Sequence, residues 1–314
     1  MNESKPTGAP VELDLEPAPC PLCTANDHTP AAQAYDRRRL ASNAFQLVRC
    51  QSCSLVYQHP RVHPASIGKY YAGDYHSTLG GLRKSRREAN KRQITSEFGL
   101  TTGKLLDIGC AHGGFLVEMR SHGWLVEGVE FSPEASKFCR DHHNLMVATG
   151  DLSQRPDDGT RFDLITMWAV LPHVPNPVEV VRQAAGLLKP DGVLLICVAN
   201  IESWAFKIRG GAWGHLDQPR HYCMFSPQTL ERLYEICALS MSRVIHDDRV
   251  ESSQIVIPPI EAIQRRVSRM RPGWLRKAAS KACRLLNWPL AGVLESMARA
   301  RRQGGIIIAS GRLR

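Results

Sequence analysis

The sequence predicts an α/β chain in which a parallel, doubly wound sheet follows a small N-terminal metal-binding module. Two observations carry the sheet. From Lys104 onward, short apolar strands alternate regularly with helical stretches, and the first of them ends in the glycine-rich turn of "KLLDIGCAHGGFL". Strands that each feed a helix imply right-handed crossovers, a parallel sheet and ligand binding at the strands' carboxyl ends. The third observation carries the module: "CPLC" at Cys20–Cys23 and "RCQSC" at Arg49–Cys53 are two matched Cys-x-x-Cys pairs. Four thiolates so spaced can surround a zinc ion tetrahedrally, and an all-cysteine set leaves no position open for water or substrate.

Taken in order, residues 1–19 are rich in proline and acid with no apolar period, which predicts a disordered tail. Residues 20–60 are the zinc-binding module, with Cys20, Cys23, Cys50 and Cys53 as ligands and His28 as a loop histidine within reach of the set. The short strands "FQLVRC" and "SLVYQ" flank its second knuckle. Residues 61–100 read as a helical linker or cap. Tyr70, Tyr71 and Tyr75 there fit packing of a helix on the core, and the basic run through Arg83, Lys84, Arg86, Arg87, Lys91 and Arg92 fits a solvated face, with contact to an anionic substrate as its rival.

Residues 101–314 form the main domain. "KLLDIG" leads into a helix near Gly114, "WLVEGVE" into "SPEASKFCRDHH", "LMVATGD" into a connector, "FDLITMWAV" into "NPVEVVRQAAGLLKP", and "GVLLICVAN" into a long loop and "SPQTLERLYEICA". Ser132 before Pro133 and Ser226 before Pro227 mark helix starts. "SRVIHDD" and "GGIIIASGRL" close the sheet as its last two strands, which makes residues 258–303 a helical insertion.

Charge separates the same way. From Pro258 onward thirteen Lys and Arg stand against Glu261 and Glu295, so the rest of the chain is close to neutral despite a net +10 overall. A neutral body with few aromatics among its basic residues disfavours a nucleic-acid partner. The basic insertion 258–303 is a candidate for peripheral membrane contact, a homodimer interface or an ordinary amphipathic cover of the core. Apolar runs such as "VLLICVA" are too short to cross a bilayer, and the chain reads as cytoplasmic, with its cysteines reduced.

The glycine turn admits two ligands on physical grounds. A dinucleotide would bring a pyrophosphate to a helix N-terminus beside Asp107, where the charges oppose; a ligand carrying a cationic amino acid and no phosphate reverses that sign. The residues here resemble the first nucleotide-binding motif of class I S-adenosylmethionine-dependent methyltransferases, with Ala111 where the middle glycine is common. The resemblance implies a Rossmann-like seven-stranded methyltransferase sheet and S-adenosyl-L-methionine as cofactor. It implies a cofactor site at Asp107, Gly109, Cys110 and Gly113, with Glu130 on the ribose hydroxyls and Asp151 near the adenine amine. It extends through "FDLITMWAVLPHVPNP", and "GGAWGHLDQPRHYCMFSP" resembles the cap loop of zinc-containing methyltransferases of bacterial glycan and natural-product pathways.

In that family histidines from both loops lie at the acceptor, which implies His221 first and His173 second as the base for an oxygen acceptor, with His215, Asp217 and Arg220 beside them. The sugar C-methyltransferases tend to carry an acid where this chain has Arg220, which puts O-methylation of a hydroxyl on a small molecule, saccharide or lipid-linked intermediate ahead of sugar C-methylation. Two readings outside that chemistry stay open: a zinc-ribbon nucleic-acid-binding protein with a scaffold methyltransferase fold, and a NAD-dependent dehydrogenase.

Overall fold

The computed structural model of the chain describes residues 13–36, 44–71, 81–250 and 291–314. Its centre is a seven-stranded sheet. The parallel strands β6 (Lys104–Ile108), β7 (Leu125–Glu130), β8 (Met146–Thr149), β9 (Phe162–Trp168) and β10 (Leu188–Ala199) are joined by β12 (Leu239–His246) and β13 (Ile306–Leu313) in the order β12-β13-β10-β9-β6-β7-β8. The last strand enters antiparallel between β10 and β12, pairing Ile196 with Ala309 and Val244 with Ala309. The expected mixed α/β architecture is therefore present.

The central strands are buried on both faces, as continuous apolar runs require. Leu105, Leu106, Leu164, Ile165, Leu194, Leu195 and Ile196 are all fully inaccessible. Each side chain so buried contributes roughly 1.5–3 kcal/mol. The helices α2 (Gly114–Arg120), α3 (Pro133–His143), α4 (Pro177–Gly186) and α6 (Pro227–Ile236) follow their strands as expected. Ser132 accepts a hydrogen bond from the Ala135 amide and Ser226 one from the Thr229 amide, each with proline in the first turn. Asp163 opens β9 and accepts from the Lys104 amide at 2.7 Å and from Lys189 Nζ at 2.8 Å, which leaves it a structural role.

The N-terminal region is more ordered than its composition suggests. Leu15 and Glu16 form β1 and pair antiparallel with Val62 and Arg61 of β5 (Arg61–Val62), so the disordered tail expected over 1–19 is corrected for residues 13–19. The acids that read as solvated have partners: Arg61 Nε donates to Glu16 at 2.7 Å, and Ser66 Oγ donates to Asp14 at 2.6 Å. The span between the knuckles holds β2 (His28–Tyr35), a long partner for β3 (Ala44–Cys50), which pairs in turn with β4 (Val56–Gln58). The fourth strand of this second sheet comes from far along the chain: β11 (Cys223–Met224) pairs with β4, Cys223 opposite Tyr57 and Met224 opposite Val56.

The helix α1 (Gly81–Glu97) follows, but Lys91 on it is buried and not part of a solvated face. Of the insertion expected at 258–303, only 291–303 falls within the described residues, and 291–300 is helical.

Candidate functional site

Every candidate cofactor residue sits where β6, β7 and β8 end. Gly109 and Gly113 hold φ of 73° and 74°, and Ala111 between them holds 49°, so every second residue of the turn lies in left-handed backbone. Glycine adopts this freely, while alanine pays about 1–2 kcal/mol. A Cβ at Gly113 would lie 2.6 Å from Leu145 Cδ1, and one at Gly109 would collide with Val170, three residues before His173. The turn that cradles a ligand thus packs directly on the loop that carries a candidate base.

Asp107 is 2% exposed, accepts from Thr166 Oγ1 at 2.6 Å, and is pushed up to about 7 chiefly by burial, with Lys91 opposing. Glu130 uses both oxygens to accept backbone amides, Ala111 at 2.8 Å and Ser132 at 2.8 Å. Asp151 is exposed and accepts from the Ser153 amide at 2.9 Å, capping a short 3-10 turn. The Cys110 side chain turns into the core, where the Cys139 thiol beside it and burial raise its pKa far above the ordinary range. Its contribution to a ligand is therefore backbone geometry, with its own amide held by the Val129 carbonyl at 3.2 Å.

Three polar groups near Asp107 lie outside the sequence-based candidates: Lys91, read there as part of a solvated basic run, and Glu88 and Trp168, which drew no reading. Glu88 and Lys91 of α1 are 8% and 7% exposed, with Lys91 Nζ 3.0 Å from Glu88 Oε2, off the direction of a good hydrogen bond. The same Nζ lies 5.4 Å and 5.6 Å from the ring centres of Phe115 and Trp168, and Trp168 Nε1 is buried with no acceptor. Two carboxylates, an ammonium and an indole N–H at one strand end, with Glu88 Oε2 and Trp168 Nε1 making no hydrogen bond among the described residues, suit a zwitterionic amino acid. They do not suit a pyrophosphate. In sequence, Lys91 looks like its neighbours in a basic helix; only packing singles it out.

The second cluster lies after β9 and β10. His173 ends the short 3-10 turn Leu171–His173, and His221 lies in the loop before β11, their Nε2 atoms 3.2 Å apart. Both predicted histidines therefore meet. His173 Nδ1 lies 3.2 Å from the Arg220 carbonyl, which can only accept, and 2.8 Å from Tyr71 Oη, which can do either, so a proton on Nδ1 satisfies both contacts. The contact between the rings is then His221 Nε2–H donating to His173 Nε2. Nδ1 of His221 makes no hydrogen bond of good geometry, the His215 backbone being the polar group near it. Burial, then His173, pushes His221 down to about 3, with Asp217 opposing.

Arg220 is fully buried, and its guanidinium joins three elements. It donates to Asp217 at 2.7 Å, to Asp36 at the end of β2 at 3.0 Å, and to the Tyr70 carbonyl at 3.1 Å. Burial raises the Asp217 carboxyl, but the Arg220 hydrogen bonds and the charges of His221, Arg220 and His173 outweigh it and hold the group well below its usual range. Tyr71 and Asp36 carry no motif that distinguishes them in the sequence.

The knuckles form a third cluster. Cys20 Sγ lies 3.4 Å from Cys53 Sγ and Cys23 Sγ 3.5 Å from Cys50 Sγ, with all four within 4.8 Å of one another. A tetrahedral zinc thiolate site needs sulfur separations of about 3.8 Å, so the set fits with small relaxation. The two turns are alike: Thr24 donates its amide to the Cys20 carbonyl and Ser54 to that of Cys50, with φ of 62° and 65°. His28 stays outside the set, its Nδ1 2.8 Å from the Asn26 carbonyl. Tyr57 packs beside the thiols, and burial followed by their charge pushes it up to about 12.

Comparison with known proteins agrees with the fold. A family model described as a methyltransferase domain matches residues 82–235. The ubiquinone biosynthesis O-methyltransferase of Haemophilus ducreyi is 33% identical over 117 residues, 34% of this chain and 49% of that protein. That of Coxiella burnetii is 32% identical over 115 residues, 35% of this chain and 49% of its own. The chain thus spans about half the length of the curated relatives it matches. Among solved structures, the 1,6-didemethyltoxoflavin-N1-methyltransferase of Burkholderia thailandensis, solved with its substrate and S-adenosylhomocysteine, shares the fold at a TM-score of 0.50. Its sequence identity is 15%, over 90% of this chain and 99% of that one. Residues 82–235 match a methyltransferase-domain family model and supply five of the seven strands, β6 to β10, of a Rossmann-like sheet.

Proposed function

We propose that the protein is an S-adenosylmethionine-dependent methyltransferase that transfers the methyl group to a hydroxyl of a small molecule, saccharide or lipid-linked intermediate. The observation that carries this reading is the meeting of His173 and His221, from two loops at the carboxyl edge of the sheet, beside a turn whose leftover polar groups fit a zwitterionic amino acid. The relatives named for O-methylation support the hydroxyl loosely.

When bound, the cofactor supplies an electrophilic methyl on a sulfonium. The work of this chain is to hold, align and deprotonate. Asp107 and Glu88 would meet the ammonium of the amino acid, Lys91 and Trp168 Nε1 its carboxylate, and Glu130 the ribose, while Gly109 and Gly113 would let the backbone come close. Asp151 lies at the next strand end, toward the base. The histidine pair removes the acceptor proton as the oxygen attacks in line. His221 is neutral at physiological pH but, lowered to about 3 by burial, is a weak base on its own, so the proton it takes is balanced by passing its other ring proton to His173 through the 3.2 Å contact. Arg220 is committed to two carboxylates and cannot stand in for the acid found there in sugar C-methyltransferases, which favours oxygen over carbon. Cys20, Cys23, Cys50 and Cys53 hold a structural zinc away from the chemistry.

Calorimetric titration with S-adenosylmethionine, S-adenosylhomocysteine and NAD tests the cofactor; tight binding of NAD alone sinks the reading. Glu130→Ala is expected to weaken cofactor binding. His221→Ala leaves that binding intact and lowers methyl transfer to a hydroxyl acceptor by roughly a hundredfold or more.

A further inference from the structure

The strand hairpin β2–β3 has two ends with different duties. At one end His28 pairs with Cys50, so the thiol cluster closes it. At the other end, eight residues on along an extended strand and therefore about 26 Å away, Asp36 is 4% exposed and grips Arg220. Between the ends the cap loop sits directly on the hairpin, because a Cβ at Gly211 would overlap the Gln33 carbonyl. The same loop is tied down again by Gln58, whose Nε2 donates to Gln218 Oε1 at 2.5 Å and whose amide donates to the Tyr222 carbonyl at 2.9 Å.

What Arg220 holds is what gives the histidine pair its geometry. Its guanidinium fixes the Tyr70 carbonyl, so the neighbouring Tyr71 hydroxyl is delivered to His173; its own carbonyl accepts from His173 Nδ1; and its backbone continues into His221. Asp217 takes the guanidinium bidentately through Nε and Nη2, at 3.1 and 2.7 Å, which anchors it to its own loop; Asp36, at 3.0 Å from the same Nη2, is the carboxylate that anchors the fork to β2 as well. We infer that Asp36 is a positioning residue for the His173–His221 pair, acting through Arg220 from the zinc-module side of the molecule. This rests on the pair being the proton acceptor of the reaction proposed above. Among the described residues, the charged and titratable groups facing the pair are Tyr71 from the segment 64–71 and His215, Asp217 and Arg220 from the cap loop, with Asp36 behind Arg220.

The consequence is a fixed tautomer in each ring: Nδ1–H on His173 and Nε2–H on His221. Nitrogen-15 NMR of the full chain with labelled histidine reads this directly, each of the two rings showing one protonated and one lone-pair nitrogen, assigned by His173→Gln and His221→Gln. In Asp36→Asn both rings are expected to move toward averaged tautomers while the remaining ten of the twelve histidines keep their shifts, and Asp36→Glu restores the wild-type pattern. Loss of stability alone lowers the melting temperature without moving the tautomers of the folded protein. Should Asp36→Asn not fold, Arg220→Lys serves, since lysine keeps the charge and gives up the fork. Wild-type tautomers in either folded variant overturn the inference. Calorimetry with S-adenosylhomocysteine on the same samples reports separately on the methyltransferase reading: its failure to bind wild-type protein removes that reading, and unchanged affinity in Asp36→Asn is the expected result.

Discussion

At the residue scale, the turn after β6 separates what a side chain permits from what a backbone demands. Gly113→Ala forces a methyl into left-handed backbone and against Leu145 and Cys139, and is expected to cost about 2–4 kcal/mol in chemical denaturation. Ala111→Gly relieves backbone strain but loosens the unfolded chain, so its net change is expected to lie within about 1 kcal/mol of zero. Asp107 makes a second prediction. Its carboxyl is pushed up to about 7, so the folded state holds a proton that the unfolded chain releases near pH 4, and its charge penalises folding increasingly as pH rises from there through 7. A ligand ammonium reverses this by favouring the ionised form. Affinity for S-adenosylhomocysteine should therefore rise between pH 6 and 8 in wild type and be weak and flat in Asp107→Asn, as measured by calorimetry. Asp107, Glu130 and the two histidines were legible as residue types at strand ends and in loops. Lys91, Glu88, Trp168 and Tyr71 were not, because burial and mutual approach, which give them meaning, leave no mark on one sequence.

At the element scale, the central strands of the main sheet were legible as continuous apolar runs closed by turn signals, while β12, which carries Ser240, Ser242 and Arg243, was legible from its place in the alternation. The strand β11 was not: two residues, Cys223 and Met224, have no period to read, and their pairing with β4 is set by a fold contact across more than 160 residues of chain. The hairpin strand β2 was missed for a related reason, since "HTPAAQAY" carries a proline and small residues where β-formers are expected. Cys20→Ser should reduce zinc content in metal analysis, and full stoichiometry in that variant would mean the knuckles bind no zinc. Because β11 and the Gln58 contacts tie the cap loop to this module, the same variant should expose the 210–225 backbone to faster amide hydrogen exchange.

At the scale of the whole molecule, the thiol cluster and the central sheet share one core. Cys20, Cys50 and Cys53 belong to the same contiguous set of buried side chains as Leu106, Ile165 and Leu194. A single cooperative melting transition is therefore expected in calorimetry, displaced to lower temperature as a whole when zinc is chelated; a separate early transition for the module would contradict this. Composition indicated a small module beside a large domain, and it could not show that the two are joined edge to edge. The join constrains engineering. With Gly211 resting on the Gln33 carbonyl, any foreign acceptor-recognition segment transplanted into this chain would land on a backbone shaped for its predecessor. A working chimaera must therefore carry donor residues from both places, 178 positions apart in sequence, as one cassette.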